Sequence, residues 1–381
     1  MPFPEPGSQI EDRFVLERPL ARGAMGEVWV ARVVGERTKV AAKLSTGAER
    51  ARAVREAEAL ARLDHPGIVR HLATIELPEH LVLCMELVEG ATLAGVLKSS
   101  PPTVATAIGF ARQVAAALVH AHERGVVHRD VKASNLLVTR GLKGQRLVLI
   151  DFGLGLVEGA ARVSSSDVVL GSVHTMPPEQ LAGQTSDGRA DVYSLGALLF
   201  RMICGRYPYH ATSSVQVLAM HAHAKVPTLA QRAERPIDVP AGLSELLVRC
   251  LAKDPTDRPT AAELLAGLDA LPTDGHGPWV HIEPEDPAPE APPPARPGAA
   301  VARLPPLVWA AGAAVLAADL NCDGAQDLLI GAPGAEGTSG SPNSGAVYAI
   351  FEQGLSDPFS LEDADLKASG SVNNTNIGAA L

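Results

Sequence analysis

The sequence predicts an α+β chain with a β-rich lobe, a helical lobe, a proline-rich linker and a short all-β segment, and three observations carry that prediction. From residue 14 to residue 87, apolar residues recur mainly at the two-residue spacing of strands, with one helical stretch among them. After Thr92 the spacing becomes helical. From Pro272 to Pro306 the composition breaks: eleven of those residues are proline, with acidic residues between them, which describes a semi-extended linker and not a core. The expected divisions are a tail over 1–13, a bilobal domain over 14–271, a linker over 272–306 and a last segment over 307–381.

Residues 14–17, 27–31 and 39–44 read as the first strands. Residues 48–63 read as an amphipathic helix, with Val54, Ala57, Leu60, Ala61 and Leu63 towards one side. Two more strands follow around 68–77 and 81–87, and then helices over 104–124 and 191–204. Ligand sites favour the junction of two such lobes.

The formal net charge of −10 over 381 residues argues against a nucleic-acid binder, which normally carries a basic face. Apolar content of 46%, much of it alanine, supports a sizeable core of small residues among Leu and Val. Cys84, Cys204, Cys250 and Cys322 are far apart and form no CxxC pair, so buried free thiols are expected, with no zinc site or disulfide framework. The N-terminal Met1-Pro2-Phe3-Pro4-Glu5-Pro6 lacks a basic region and an apolar run, so no signal peptide is expected and the first domain is expected in the cytoplasm.

The chemistry concentrates in His128-Arg129-Asp130-Val131-Lys132-Ala133-Ser134-Asn135 and in Asp151-Phe152-Gly153, which follows the strand-like Leu147-Val148-Leu149-Ile150. Phosphoryl transfer asks a protein mainly to position reactants and neutralise charge. Asp130 would orient an acceptor hydroxyl, Lys132 would steer phosphate, and Asn135 and Asp151 would hold magnesium ions bridging ATP phosphates. Either motif alone is weak evidence, whereas the pair in this order is specific.

With these motifs, residues 14–271 resemble a eukaryotic-type Ser/Thr protein kinase of the kind common in bacteria, which implies the bilobal kinase fold. Ala21-Arg22-Gly23-Ala24-Met25-Gly26-Glu27-Val28 stands where that family has its glycine-rich loop. Gly23 and Gly26 match the second and third glycines, while Ala21 replaces the first. Lys43, in Val40-Ala41-Ala42-Lys43, matches the strand lysine that contacts the α- and β-phosphates, with Glu56 as its expected acidic partner and Glu58 as the competitor. Met85-Glu86-Leu87-Val88 resembles the hinge whose backbone bonds the adenine, with Met85 as gatekeeper.

Lys132, two residues after Asp130, is the Ser/Thr-type variant. Arg129 implies a receptor for an activation-loop phosphate, and Ser164, Ser165 and Ser166 are the hydroxyl residues available there. Self-association would serve autophosphorylation. Gly171-Ser172-Val173-His174-Thr175-Met176-Pro177-Pro178-Glu179 occupies the family's Gly-Thr-Pro-x-Tyr-Met-Ala-Pro-Glu position. Ser172 keeps a hydroxyl, but Val173, Thr175 and Pro177 depart from the pattern and leave the shape of the peptide groove open. Glu179 is expected to pair with Arg258, and Asp191 to anchor the catalytic-loop backbone. The competing reading is a pseudokinase, a nucleotide-binding scaffold that displays the C-terminal segment; Ala21 and the altered groove favour it, and the intact Lys43, Asp130, Asn135 and Asp151 weigh against it.

In the last segment, Asp319, Asn321, Asp323 and Asp327 fall at the first, third, fifth and ninth positions of a loop with Gly324 at the sixth. Such oxygens can wrap calcium, although Ile330 stands where an EF-hand needs its glutamate. With Gly331-Ala332-Pro333 and Ala346-Val347-Tyr348-Ala349-Ile350-Phe351, the segment resembles an FG-GAP repeat of integrin-like β-propellers, Ala311-Gly312 standing for the usual Phe-Gly. A second opening at Ile377-Gly378-Ala379-Ala380 suggests a repeat array, and one blade cannot close a propeller alone. The apolar run over 305–318 has a rival reading as a membrane anchor, but it is shorter than the roughly twenty residues of a spanning helix.

Overall fold

A computed structural model of the chain describes residues 5–23, 26–78, 80–141, 144–152, 173–211, 213–272, 279–282, 314–318, 327–332, 345–350 and 366–370. The chain forms two compact units, residues 1–210 with 226–285 and residues 211–225 with 286–381.

The first unit opens with a six-stranded antiparallel sheet in the order β1-β2-β3-β4-β6-β5. Its strands are β1 (Gln9–Ile10), β2 (Phe14–Gly23), β3 (Gly26–Val33), β4 (Lys39–Thr46), β5 (His71–Glu76) and β6 (His80–Glu86). Helix α1 (Arg50–Leu60) lies between β4 and β5 in sequence and packs on this sheet. β1 pairs with β2, so part of the stretch read as a tail belongs to the sheet.

Alternation along the strands separates two cores. Val40, Ala42 and Leu44 of β4, with Val82 and Cys84 of β6, pack with Phe14, Leu16 and Trp29 on one face. Leu83 and Met85 point the other way and join the core of the second lobe. Lys43 has the parity of that second face, and there it meets α1.

The second lobe contains β7 (Ala91–Thr92), α2 (Leu93–Ser99), α3 (Val104–Glu123), β8 (Leu136–Gly141), β9 (Gly144–Leu149), α4 (Pro178–Leu181) and α5 (Arg189–Cys204). After α6 (Ser214–His223) of the second unit come α7 (Leu229–Arg232), β10 (Ile237–Pro240), α8 (Leu243–Cys250), α9 (Ala261–Asp269) and β11 (Trp279–Ile282). α5 is buried on nearly every side, as a central helix must be. A Cβ on its Gly196 would meet the Cβ of Cys250 at 2.7 Å, so the absent side chain permits close approach of α8. Among the described residues α3 alone is long and apolar enough to cross a membrane. Its Ile108, Ala111, Ala115 and Leu118 are fully buried in this core.

β11 pairs antiparallel with β10, from Ile237 opposite Ile282 to Pro240 opposite Trp279. The stretch read as linker thus carries a strand that adds to the second lobe. Proline content hid it, because Trp279, Val280, His281 and Ile282 form only a short β-prone run between Pro278 and Pro284.

In the second unit, β12 (Ala314–Ala318), β13 (Asp327–Ala332), β14 (Gly345–Ile350) and β15 (Leu366–Gly370) form a four-stranded antiparallel meander. Residues 314–318 are therefore strand, as the repeat reading requires. Residues 305–313 lie outside the described residues.

Cys84, Cys204 and Cys250 are buried free thiols. Burial pushes their thiols up, to about 11 for Cys84 and about 12 for Cys204 and Cys250. Since the thiolate is the reactive form, iodoacetamide at pH 8 should label these three only after unfolding, read by peptide mass spectrometry.

Candidate active site

The site is assembled by three pieces of local structure: a glycine-permitted hairpin, a charged position on a buried helical stripe, and a second hairpin whose two ends carry the ligands.

β2 and β3 form the first hairpin, with Ala21 opposite Val28 and Gly23 opposite Gly26. Gly26 has φ +115°, and a Cβ there would come within 2.1 Å of the Leu44 carbonyl oxygen on β4. Only glycine fits this crossing. Gly26→Ala should cost about 1–3 kcal/mol in strain and weaken nucleotide binding, as thermal unfolding and a nucleotide titration would register.

Ala53, Glu56, Ala57 and Leu60 form the buried stripe of α1. A carboxylate in that stripe needs a partner, and Lys43 supplies it, its Nζ donating to Glu56 Oε1 at 3.0 Å and Oε2 at 2.9 Å. The competitor, Glu58, points to solvent. Lys43 Nζ also donates to Asp151 Oδ1 at 2.5 Å. Burial alone would pull the Lys43 ammonium down, but the two carboxylates outweigh it and hold the group above its ordinary value. Burial raises Glu56, whereas for Asp151 the Lys43 charge overcomes burial and keeps the carboxyl low. The trio carries a net negative charge facing the cleft.

β8 and β9 pair from Leu136 opposite Leu149 to Gly141 opposite Gly144. Asn135 precedes the first strand and Asp151 closely follows the second, so the hairpin brings them to one end; Ile150 N donates to Asn135 O at 2.9 Å. Asp130 is drawn to the same end. Asn135 Nδ2 donates to Asp130 Oδ2 and to its carbonyl, both at 3.0 Å, and Lys132 Nζ lies 2.7 Å from Asp130 Oδ2.

Asp191, fully buried in the first turn of α5, holds the loop from beneath. It accepts the backbone N–H of His128 at 2.9 Å and of Arg129 at 2.7 Å, and His122 Nε2 lies 2.8 Å from it. Arg129 is thereby held at φ +63°, a left-handed conformation that non-glycine residues adopt at a cost. A Cβ on Gly188 would meet the His122 ring at 2.5 Å, so this glycine makes room for the histidine.

Sequence reasoning gave no role to His128, His122, Phe152 or Gln180. His128 is fully buried against Phe152, its ring centroid 4.6 Å away. Its Nδ1 accepts the Asp130 N–H at 3.2 Å, and its Nε2 lies 3.3 Å from the Ile150 carbonyl. Those partners fit a neutral ring protonated on Nε2. Gln180 Nε2 donates to the Arg129 carbonyl at 3.0 Å. His128 and Phe152 sit inside quoted motifs; His122 and Gln180 carry no local signal.

Met85 is buried on β6, and Glu86 ends that strand with its N–H on the Arg70 carbonyl at 2.9 Å. Val88 packs against the core of the second lobe. The three departures from the kinase pattern, Val173, Thr175 and Pro177, are buried, while His174, Met176 and Pro178 between and after them are partly exposed. Ser194 Oγ donates to the Thr175 carbonyl at 2.7 Å, tying that turn to α5. These substitutions therefore alter packing beneath the groove more than its surface. Glu179 and Arg258 meet in a buried bidentate pair at 2.7 and 2.8 Å. Gly153, Ser164–Ser166 and Ser172 lie outside the described residues.

A family model described as the protein kinase domain matches residues 14–267, and one described as the FG-GAP repeat matches residues 311–350. The chain is 38% identical over 288 residues to the serine/threonine-protein kinase PknJ of Mycobacterium tuberculosis, an alignment covering 72% of this chain and 47% of the relative. It is 36% identical over 271 residues to the serine/threonine-protein kinase pkn2 of Myxococcus xanthus, covering 69% and 32%. It is 31% identical over 264 residues to the serine/threonine-protein kinase PrkC of Bacillus subtilis, covering 68% and 40%. The chain thus spans half or less of the length of these curated relatives.

Proposed function

As the chain belongs to the protein kinase family, we propose that it transfers the γ-phosphate of ATP to serine and threonine hydroxyls of proteins, in bacterial signalling. The observation that carries the reading is the convergence of Lys43, Glu56, Asp130, Lys132, Asn135 and Asp151 at one cleft between the lobes. The intact Lys43, Asp130, Asn135 and Asp151 set outweighs Ala21 and the altered groove, the two features that favour a scaffold without catalysis.

In this reading Asp130 Oδ2, steadied by Lys132 and Asn135, orients the acceptor hydroxyl and receives its proton. Lys43, aimed by Glu56, meets the α- and β-phosphates, and Lys132 meets the γ-phosphate as a point charge. Val28 caps the adenine from β3, and the backbone of Glu86 and Val88 bonds its edge beside Met85. Gly23 and Gly26 let backbone amides approach the phosphates. Ala21, in strand register opposite Val28, is compatible with that loop.

The residues present fit magnesium. One carboxylate and one amide oxygen are too few for an all-protein cage, and they suit an ion that takes its remaining ligands from phosphate and water. When bound, magnesium neutralises phosphate charge; Asn135 and Asp151 would hold it, and the negative Lys43–Glu56–Asp151 trio favours a cation there.

Among the described residues Arg129 Nε is buried without a hydrogen-bond partner, which suits a phosphate on Ser164, Ser165 or Ser166, added through self-association. A cytoplasmic kinase domain fits the supply of ATP. In the second unit Ala318 pairs with Asp327 across β12 and β13, while Asp319, Asn321 and Asp323 lie outside the described residues. That pairing supports the hairpin calcium loop of Asp319, Asn321, Asp323 and Asp327, and uptake in a calcium titration would test it.

The deciding experiment is transfer of labelled γ-phosphate with magnesium, the chain beside Asp151→Asn. Label in the parent alone, mapped to Ser164–Ser166 or to added protein, is expected. ATP binding with no transfer to any acceptor would overturn the reading.

A further inference from the structure

A cavity of about 560 Å³ opens beside the catalytic loop, and its wall includes Lys132, whose Nζ lies 2.7 Å from Asp130. Four of its lining residues, Lys98, Lys132, Arg201 and Arg206, are cationic, and none is Asp or Glu. This local sign opposes the net charge of −10 of the whole chain.

Two of the four charges are matched within the protein. Lys132 faces Asp130, and Arg206 pairs with Glu234 at 2.6 Å. The other two are left for a ligand. Arg201 sits near the end of α5 with its guanidinium over the Tyr207 ring, 4.8 Å from the centroid, and has no carboxylate partner among the described residues. Lys98 lies exposed in the last turn of α2, also without an ion pair among the described residues.

Tyr207 stacks on His174 with ring centroids 4.8 Å apart and planes within 4°. Burial lowers the His174 imidazole against a backbone hydrogen bond of Tyr209, and the charges of His210 and Arg201 add to the lowering, which disfavours a cation on the ring. The unmatched positive charge of the cavity is therefore that of Lys98 and Arg201. The aromatic stack fixes one side of the arginine, and a fixed planar guanidinium recognises carboxylate or phosphate with little ordering cost.

We propose that Lys98 and Arg201 form an anion-reading subsite, through which the enzyme selects acceptor hydroxyls flanked within a few residues by acidic side chains. The proposal rests on the kinase reading of the same cleft. An anionic residue of the substrate enters the cavity while the hydroxyl reaches Asp130, one wall serving both.

The test uses the full chain and matched peptides with one serine acceptor, carrying Glu, Gln, Lys or phosphoserine at each flanking position in turn. The expected result is kcat/KM about tenfold or more higher for Glu than for Gln at one or two positions, the scale of a single charge-assisted contact. Lys should be worse than Gln there. Arg201→Gln should abolish the preference, and Lys98→Glu, at an exposed site, should shrink it even if the Arg201 variant fails to fold. Because each ratio is taken within one enzyme, a general loss of activity does not mimic the effect. A preference for phosphoserine above Glu would support the subsite and identify its anion as phosphate.

Equal kcat/KM on Glu and Gln peptides, with transfer to both, would overturn the subsite and leave the kinase reading standing. A Glu preference unchanged in both variants would likewise overturn it. No transfer to any peptide or to the chain itself would overturn the kinase reading and the subsite together.

Discussion

Asp130→Asn is expected to lower turnover by about 10²–10⁴-fold, the scale of a lost general base, and to leave ATP affinity little changed. The asparagine keeps the size of the side chain and one oxygen for Lys132 or Asn135, both of which Asp130 now engages. What it loses is the second acceptor and the negative charge that, in the proposed mechanism, draws the proton from the hydroxyl. The contacts expected to hold nucleotide, from Lys43 and the β2–β3 hairpin, are made by other residues. Single-turnover phosphate transfer and a nucleotide titration separate the two effects. Near-normal turnover would show that Asp130 is not the group that orients the nucleophile.

Glu179→Ala should be the most damaging single change to stability. Glu179 is 5% and Arg258 2% exposed. Arg258 further donates to the carbonyls of Ala252 and Lys253 at 2.7 and 2.9 Å and lies over the Tyr193 ring. Removing the carboxylate strands a guanidinium in a dry site, a loss of about 3–5 kcal/mol. At roughly 2–4 °C per kcal/mol for a domain of this size, the Tm should fall by about 6–20 °C. Glu179→Met combined with Arg258→Met should recover part of that loss, since no buried charge is then left alone. Thermal unfolding of the three proteins checks both statements, and a Tm unchanged in Glu179→Ala would refute the structural role of the pair.

The two variants also separate two kinds of residue that the sequence motifs do not distinguish. Asp130 is partly exposed and faces the cleft, so its loss is kinetic. Glu179 and Arg258 lie in the core, so their loss is first thermodynamic.

Much of the first unit was legible in the residues. Period-two apolar spacing announced β2, β3, β4 and β6, and period-3.6 spacing announced α1, α3 and α5. These signals are local consequences of side-chain direction, and they survive in a single sequence. The choice of Glu56 over Glu58 came from the resemblance and not from spacing. The side read from the sequence, with Val54 and Ala61 on it, is turned in the fold: Ala61 is exposed, and Ala53, Glu56, Ala57 and Leu60 are buried together. β1 and β11 escaped notice because a two-residue strand and a four-residue strand among prolines have too few positions to show a period.

The sequence alone determined the order of the motifs, the chemical kind of each site residue and the break in composition after Leu271. Those properties are read along the chain. Tertiary structure decided what faces what. Asp191 reaches back to the amides of His128 and Arg129, Gly188 admits His122, and Lys98 and Arg201 line one cavity from helices far apart in sequence. Such contacts join residues through long loop closures, and their energies come from burial and pairing that exist only once the lobes are packed. Val173 and Thr175 carry the same lesson. In sequence they are departures in a substrate-binding motif, but in the fold they are buried, and the residue between them, His174, is only partly exposed.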